Sequence, residues 1–229
     1  MSNALVMAFS TWVAFAQALV AEAIAPSTCA ACDGPIKFRT MFCGTCAASV
    51  VKTSEAEPDS DDPSGLMRHY AAFEYGGAMA TAIARMKYNR RWDLVARFGT
   101  LTGQYAAQVV SGVDVVVSVP AHARRIRERG FDPSALLARA VAQHLRAGYA
   151  PNALRRLRDT PPQASLSRVA RRTNILDAFE CRRPLRLQGA RVLLVDDVRT
   201  TGSTIAECMR VMREVGAADV RSLVLARAL

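Results

Sequence analysis

Lysine is almost missing from this sequence: Lys37, Lys52 and Lys87 stand against 27 arginines. The formal net charge of +10 therefore rests on guanidinium groups. Such an excess favours an anionic partner: a nucleotide, a nucleic acid or a phosphorylated small molecule. A compositional bias toward Arg and Ala is the competing explanation. No GxxxxGKS/T segment occurs, and no GxGxxG follows a strand, which excludes the two commonest glycine-rich phosphate loops. No internal repeat is present at a period of roughly 20 to 50 residues. Only three histidines occur, His69, His122 and His144, and each stands isolated, so none offers itself as a general base. A secreted disulfide framework is also absent. Four of the six cysteines are paired as CxxC, while Cys181 and Cys208 stand alone and read as ordinary thiols. Paired CxxC in a chain of 229 residues points to a metal site in a reducing compartment, and hence to a cytoplasmic location.

What is present suits a soluble globular protein, with 51% hydrophobic and 22% charged residues. Whole-chain disorder, collagen and a disulfide-stapled miniprotein are excluded. The length predicts one domain plus a small appendage. The apolar stretch from Ala4 to Pro26 lacks a basic leader, contains Gln17 and Glu22, and runs straight into the first CxxC. It reads as a helix packed on the body rather than a signal peptide, with membrane contact at most peripheral.

Three regions follow: an N-terminal helix and cysteine module over 1–53, an acidic linker over 54–65, and the main domain over 66–229. The linker is acidic and breaker-rich, without apolar periodicity, and is expected to separate the two modules. Beyond it, extended and helical patterns alternate. Leu66–Tyr75 reads as extended, Ala78–Tyr88 and Leu94–Val110 as helices, and Val113–Val119 as a buried strand. Pro133–Leu145 is helical, Val192–Val195 a second buried strand, Ser203–Val215 a helix and Val220–Ala226 a third strand. Strands alternating with helices predict βαβ units, so the fold class is α/β with a parallel sheet flanked by helices. Between Ala121 and Arg191 lie 16 Arg against five acids, a net +11 in a chain whose total is +10. Compositional bias would spread Arg evenly; this concentration favours an anion-binding surface.

The most specific segment is Val192-Leu-Leu-Val-Asp196-Asp197-Val198-Arg199-Thr200-Thr201-Gly202-Ser203-Thr204. A buried parallel strand sets two carboxylates at its C-terminal end, where α/β folds bind ligands. The hydroxyls of Thr200, Thr201, Ser203 and Thr204, the backbone N–H groups and a helix N-terminus then form a phosphate cradle. Gly202 is expected to let the backbone approach a phosphate closely. Two acids beside a phosphate cup repel an anion unless something lies between. A ribose supplies it, its hydroxyls donating to the acids while its 5′-phosphate lies in the cup.

Cys29, Cys32, Cys43 and Cys46 make a Cys-x2-Cys-x10-Cys-x2-Cys module. Two such knuckles bring four thiolates to one tetrahedral zinc ion, which is structural because no position stays open. Iron–sulfur ligation and two redox pairs are the alternatives.

At Asp196 to Thr204 the sequence resembles the type I phosphoribosyltransferases, whose loop for 5-phosphoribosyl 1-pyrophosphate (PRPP) is an apolar strand, two acids and a Thr-Thr-Gly turn. It resembles the ComF family of competence-related proteins more closely over nearly the whole chain. The shared features are the double CxxC, Tyr75-Gly-Gly with Lys87 downstream, and Val119-Pro-Ala-His leading to Arg129-Gly-Phe131. Gln163 to Leu166, Arg172-Thr-Asn174, Ala178-Phe179 and the PRPP loop complete the series. One departure stands out: Asp132-Pro133 replaces the usual Asn-Gln, so no role of that amide pair carries over.

The resemblance implies a type I phosphoribosyltransferase-like fold with an N-terminal zinc ribbon, binding PRPP and Mg²⁺. Asp196 and Asp197 would then grip the ribose hydroxyls and, directly or through water, Mg²⁺. A loop carrying Arg124, Arg125 and Arg129 is the candidate for the pyrophosphate side, with an exposed basic loop as the equal alternative. Lys87 sits at a family lysine position, though a solvated lysine fits as well. Asp159–Arg172, with Gln163 and Arg172, reads as a water-excluding lid or a linker. Two functions follow from the resemblance. One is a phosphoribosyltransferase acting on a nitrogen acceptor. The other is a non-catalytic DNA-uptake factor whose partners are single-stranded DNA or a competence helicase-type protein.

Overall fold

A computed structural model of the chain describes residues 28–37, 40–53, 57–58, 68–158, 175 and 177–228. The expected Ala4–Pro26 helix, most of the 54–65 linker, and residues 159–172 with Gln163 and Arg172 lie outside them. In chain order the first elements are α1 (Gly44–Ala47), β1 (Glu57–Pro58), β2 (Arg68–Glu74), α2 (Gly77–Tyr88), α3 (Asp93–Val109) and β3 (Val115–Ser118). Then come α4 (Ala123–Arg129), α5 (Pro133–Leu145), β4 (Gly148–Tyr149), β5 (Leu154–Arg156), β6 (Phe179–Cys181), β7 (Arg191–Arg199), α6 (Ser203–Glu214) and β8 (Asp219–Arg227).

The main sheet runs β1-β2-β8-β7-β3-β4. All pairings are parallel except that of β1, which lies antiparallel on β2 at the edge. A piece of the expected linker thus joins the sheet. Strand β7 has β8 on one side and β3 on the other, which explains its unbroken apolar run, since a central parallel strand is covered on both faces. Leu193 and Val195 enter one layer, with Met79, Ile83, Phe98, Leu137 and Val141 of α2, α3 and α5. Val192 and Leu194 enter the other, with Ile205, Cys208, Met209 and Met212 of α6. Leu193 and Leu194 are fully buried, so truncation of either to Ala costs about 2–5 kcal/mol. The architecture is the expected α/β sandwich.

Two features differ from expectation. The arginine-rich stretch after β3 is a helix, α4, not a loop. His122 Nδ1 accepts from the Arg124 amide (3.2 Å) at its start, and Gly130 ends it in the left-handed region at φ +82°. An Arg124–Glu128 pair one turn apart adds to it at 2.8 Å. The short strands β5 and β6 pair antiparallel with each other, matching Arg156 with Phe179, and form a separate two-stranded sheet.

The cysteine segment is docked on the domain. Ala30 is buried in the α2/α3 core, and Met41, Phe42 and Val50 pack against it. Residues 51–53 run beside β2, with Thr53 N–H donating to the Ala72 carbonyl (3.2 Å) and Glu74 N–H to that of Val51 (2.9 Å). Gly77 permits the approach. It sits at φ +48°, and a Cβ there would lie 2.7 Å from Ser49 Oγ, which instead accepts from the Ala78 amide at 3.0 Å. No helix among the described residues is long and apolar enough to cross a membrane.

Candidate functional site

Parallel pairing carries the C-terminal ends of β2, β3, β7 and β8 to one edge of the sheet, the edge at which open α/β sheets bind ligands. A cleft of about 330 Å³ opens there, and Asp196, Asp197, Val198, Thr200 and Thr204 line one wall. Lys87, Tyr88, Arg125, Arg129 and Arg156 line others.

Both acids belong to β7, which runs four residues beyond the expected Val195 end. Asp197 Oδ2 pairs with Lys87 Nζ at 2.8 Å, both side chains largely shielded from solvent. Asp196 Oδ1 accepts from Ser134 Oγ (2.6 Å) and from the Asp197 amide (2.8 Å). Burial, reinforced by the neighbouring Asp197 charge, pushes the Asp196 carboxyl up to about 7. A cation or a set of hydroxyl donors would relieve that cost, so the pair fits either a divalent ion or a diol.

Beyond Arg199 the chain turns into α6. Thr201 Oγ1 lies 3.2 Å from Ser203 Oγ, and Gly202 occupies the left-handed region at φ +76°. The nearest atom to a Cβ built at Gly202 is Arg199 Cδ at 3.8 Å. Within the protein itself, conformation rather than space demands glycine here. The turn delivers Thr204 to the cleft at the N-terminus of a 12-residue helix, the end that attracts an anion.

The basic candidates divide. Lys87, Arg125 and Arg129 reach the cleft, and the Arg129 guanidinium lies 5.0 Å from the Tyr88 ring centroid and donates to its hydroxyl at 3.1 Å. Arg124 instead turns outward to Glu128. Three cleft residues were not foreseen: Ser134, Tyr88 and Arg156, the last 5.5 Å from the Phe179 ring centroid. The Asp132-Pro133 departure has a local explanation. Asp132 caps α5 by accepting from the Ala135 amide (3.3 Å), with Pro133 in the first helical turn, and it also accepts from the Ala121 amide (3.5 Å). Burial raises its carboxyl pKa against those two bonds. An Asp followed by Pro before a helical pattern carried that signal.

The four module cysteines have all their sulfurs within 4.8 Å of one another. Cys32 Sγ and Cys43 Sγ are 3.8 Å apart, the edge of a tetrahedron with metal–sulfur bonds of about 2.3 Å. Cys29 Sγ accepts from the Cys43 amide at 3.4 Å. Burial opposes ionisation of Cys29, but that amide and those of Ala31 and Cys32 outweigh it and bring the thiol down to about 6. The Cys32 and Cys43 thiols hold Cys46 up to about 12. Four sulfur donors in this geometry suit a zinc ion.

A phosphoribosyl transferase domain model matches residues 133–229. A DNA utilization protein YhgH of Salmonella typhimurium is 31% identical over 208 residues, spanning 89% of this chain and 85% of that protein. Competence protein F of Haemophilus influenzae is 29% identical over 210 residues, spanning 87% and 84%. A glutamine PRPP amidotransferase structure from B. subtilis, 22% identical, aligns with 62% of this chain and 30% of that one at a TM-score of 0.44. The likeness thus spans less than a third of that enzyme.

Proposed function

The chain belongs to the ComF family, and from that premise we propose that its cleft binds PRPP with Mg²⁺ and transfers the phosphoribosyl group to a nitrogen acceptor. One observation carries the reading. The acid pair lies near the C-terminal end of a buried central strand, a few residues before a left-handed glycine turn and a helix N-terminus, in a cleft shared with Lys87, Arg125 and Arg129. Asp196 and Asp197 would accept from the ribose hydroxyls, and Thr200, Thr201, Ser203 and Thr204 would cradle the 5′-phosphate. Arg125 and Arg129 would neutralise the leaving pyrophosphate. Asp196 and Asp197 are the residues that would also hold Mg²⁺, which when bound screens pyrophosphate charge. The bond from C1 of the ribose to the pyrophosphate oxygen breaks with its electron pair leaving on oxygen. A nitrogen lone pair forms the new bond to C1, and the acceptor loses a proton. The transition state is oxocarbenium-like, so the protein's work is to hold the ribose still and stabilise charge.

Isothermal titration with PRPP, with and without Mg²⁺, tests binding, and pyrophosphate release against a panel of bases and amines tests turnover. Asp196→Asn with Asp197→Asn should weaken PRPP by about a hundredfold or more, at about 1.5–3 kcal/mol per charge-assisted bond. Unchanged affinity in the folded double variant removes the reading. A second function, binding of single-stranded DNA, is favoured by the aromatic side chains Tyr88 and Trp92, 69% and 60% exposed, in a protein whose α4 is arginine-rich.

A further inference from the structure

The CxxC segment grips one side of the helix whose other side serves the cleft. Asp33, immediately after Cys32, stands in the left-handed region at φ +60°. The knuckle turn fixes it there, with the Asp33 amide donating to the Cys29 carbonyl (3.1 Å) and the Cys29 amide to that of Gly34 (2.8 Å). Its carboxylate is shared between Arg85 and Arg91, whose side chains are only 17% and 18% exposed. Arg85 Nη1 also donates to the Ala31 carbonyl at 2.8 Å. Arg97 ties α3 to both knuckles through the Thr28 carbonyl (3.2 Å) and the Thr40 carbonyl (2.7 Å).

Arg85 and Lys87 both lie in the last turn of α2. Two residues along a helix turn the side-chain direction by about 200°. Arg85 is therefore held by the knuckle while Lys87 points the opposite way, to Asp197. Asp33 also clamps the turn just after the helix, because Arg91 continues to Asp93 at the start of α3 (2.8 and 2.9 Å). The end of α2 is pinned from the metal-ready side.

We propose that the Cys29–Cys32 knuckle, through Asp33 and its two arginines, positions Lys87 against Asp197, so that the state of the sulfur site sets how tightly the cleft holds its anionic ligand. Asp33 is a positioning residue here, since it does not line the cleft. The ligand arm of the test rests on the PRPP reading above; the lysine arm does not.

The scarcity of lysine makes the test clean. With only Lys37, Lys52 and Lys87 in the chain, a ¹³Cε-lysine-labelled protein shows three side-chain signals, and Lys87→Arg identifies one of them. Asp33→Ala, or removal of metal by a chelator, should move the Lys87 signal toward the position of a solvated lysine. PRPP affinity should fall about tenfold in Asp33→Ala, the loss expected for one displaced charge-assisted hydrogen bond. In a Lys87→Ala background the same substitution should cost nothing further, because coupled residues are non-additive. A purely structural Asp33 would lower the melting temperature, leave the Lys87 signal in place and add its effect to that of Lys87→Ala; that pattern overturns the proposal. If Asp33→Ala fails to fold, Arg85→Leu cuts the link from the helix side and carries the same expectations. If the wild-type protein binds no PRPP, the cleft reading fails while the lysine spectra still decide this one.

Discussion

Asp196→Asn should make the ligand-free protein more stable while damaging its site. The carboxyl lies near the C-terminal end of a buried strand and is pushed up from an ordinary value of 3.8 to about 7, first by burial and then by Asp197. In the unfolded chain it ionises near its ordinary value. Between those two pKa values the native state binds the extra proton, so stability falls as pH rises from about 4 to about 7 and then levels off. That rise corresponds to about 4 kcal/mol if all of it opposed folding. Water at the cleft mouth and the loss of two charge-assisted bonds reduce the gain, leaving about 1–2 kcal/mol at pH 8. The amide oxygen of Asn can still accept from Ser134 Oγ and the Asp197 amide, so the local geometry is retained.

For a chain of this size the gain is a rise in melting temperature of about 3–6 °C. The assay is thermal melting of both proteins from pH 5 to pH 8 without ligand. The difference should be smaller at pH 5 than at pH 8, because the unfolded chain ionises at about pH 4 while the native carboxyl holds its proton up to about 7. A variant less stable at pH 8, or a difference that does not change with pH, would refute the reasoning. Either result would mean that Asp196 is comfortably ionised without a ligand.

Purified protein should carry about one zinc ion per chain by metal analysis, and Cys29→Ser should lower metal content and melting temperature together, because metal binding there is folding energy. An iron chromophore, or metal-free protein of normal stability, would contradict this. Single-stranded DNA should bind with a log–log salt slope of about −0.7 per neutralised phosphate, and replacing Arg124, Arg125 and Arg127 by Ala should flatten it by up to about two units. An unchanged slope would take α4 out of the DNA face. Asp132→Ala should cost about 1 kcal/mol from the lost α5 cap, read as a shift in urea midpoint at constant m-value. A chain beginning near Ser64 should melt well below the full protein, since it strips Val51 and Thr53 from β2 and Asp33 from Arg85 and Arg91; equal stability would show that the docking contributes nothing.

The readable parts of the molecule are those whose signals are local. Val192–Val195 is a continuous apolar run because β7 is covered on both faces, and the turn chemistry after it is contiguous. The double CxxC is likewise a spacing rule. What escaped depends on distant partners. Strands β4, β5 and β6 span two or three residues each, too short for any alternation to register, and exist because β3 or each other pairs with them. The helix α4 shows no apolar stripe, so periodicity fails, and it stands on a histidine cap, a left-handed glycine and one ion pair. Tyr88 and Arg156 reach the cleft only through the tertiary fold.

The site itself was legible for a different reason: it is where the sequence disagrees with itself. A central strand that reads Val-Leu-Leu-Val should not continue Asp-Asp, because burying carboxylates is costly unless something answers their charge. Sequences are locally consistent except where function overrides stability, so such a conflict marks the place to look. The structure answers the conflict only in part. Ser134 and one backbone amide serve Asp196, and one of only three lysines in the chain is delivered to Asp197. An arginine fork would satisfy a carboxylate bidentately and lock it, whereas a lysine ammonium on a flexible stem gives one point charge that can yield to a ligand. In a chain that uses arginine almost everywhere else, lysine at position 87 keeps the acid pair incompletely satisfied. An incompletely satisfied acid pair near a helix N-terminus is what the proposed ribose phosphate ligand would require.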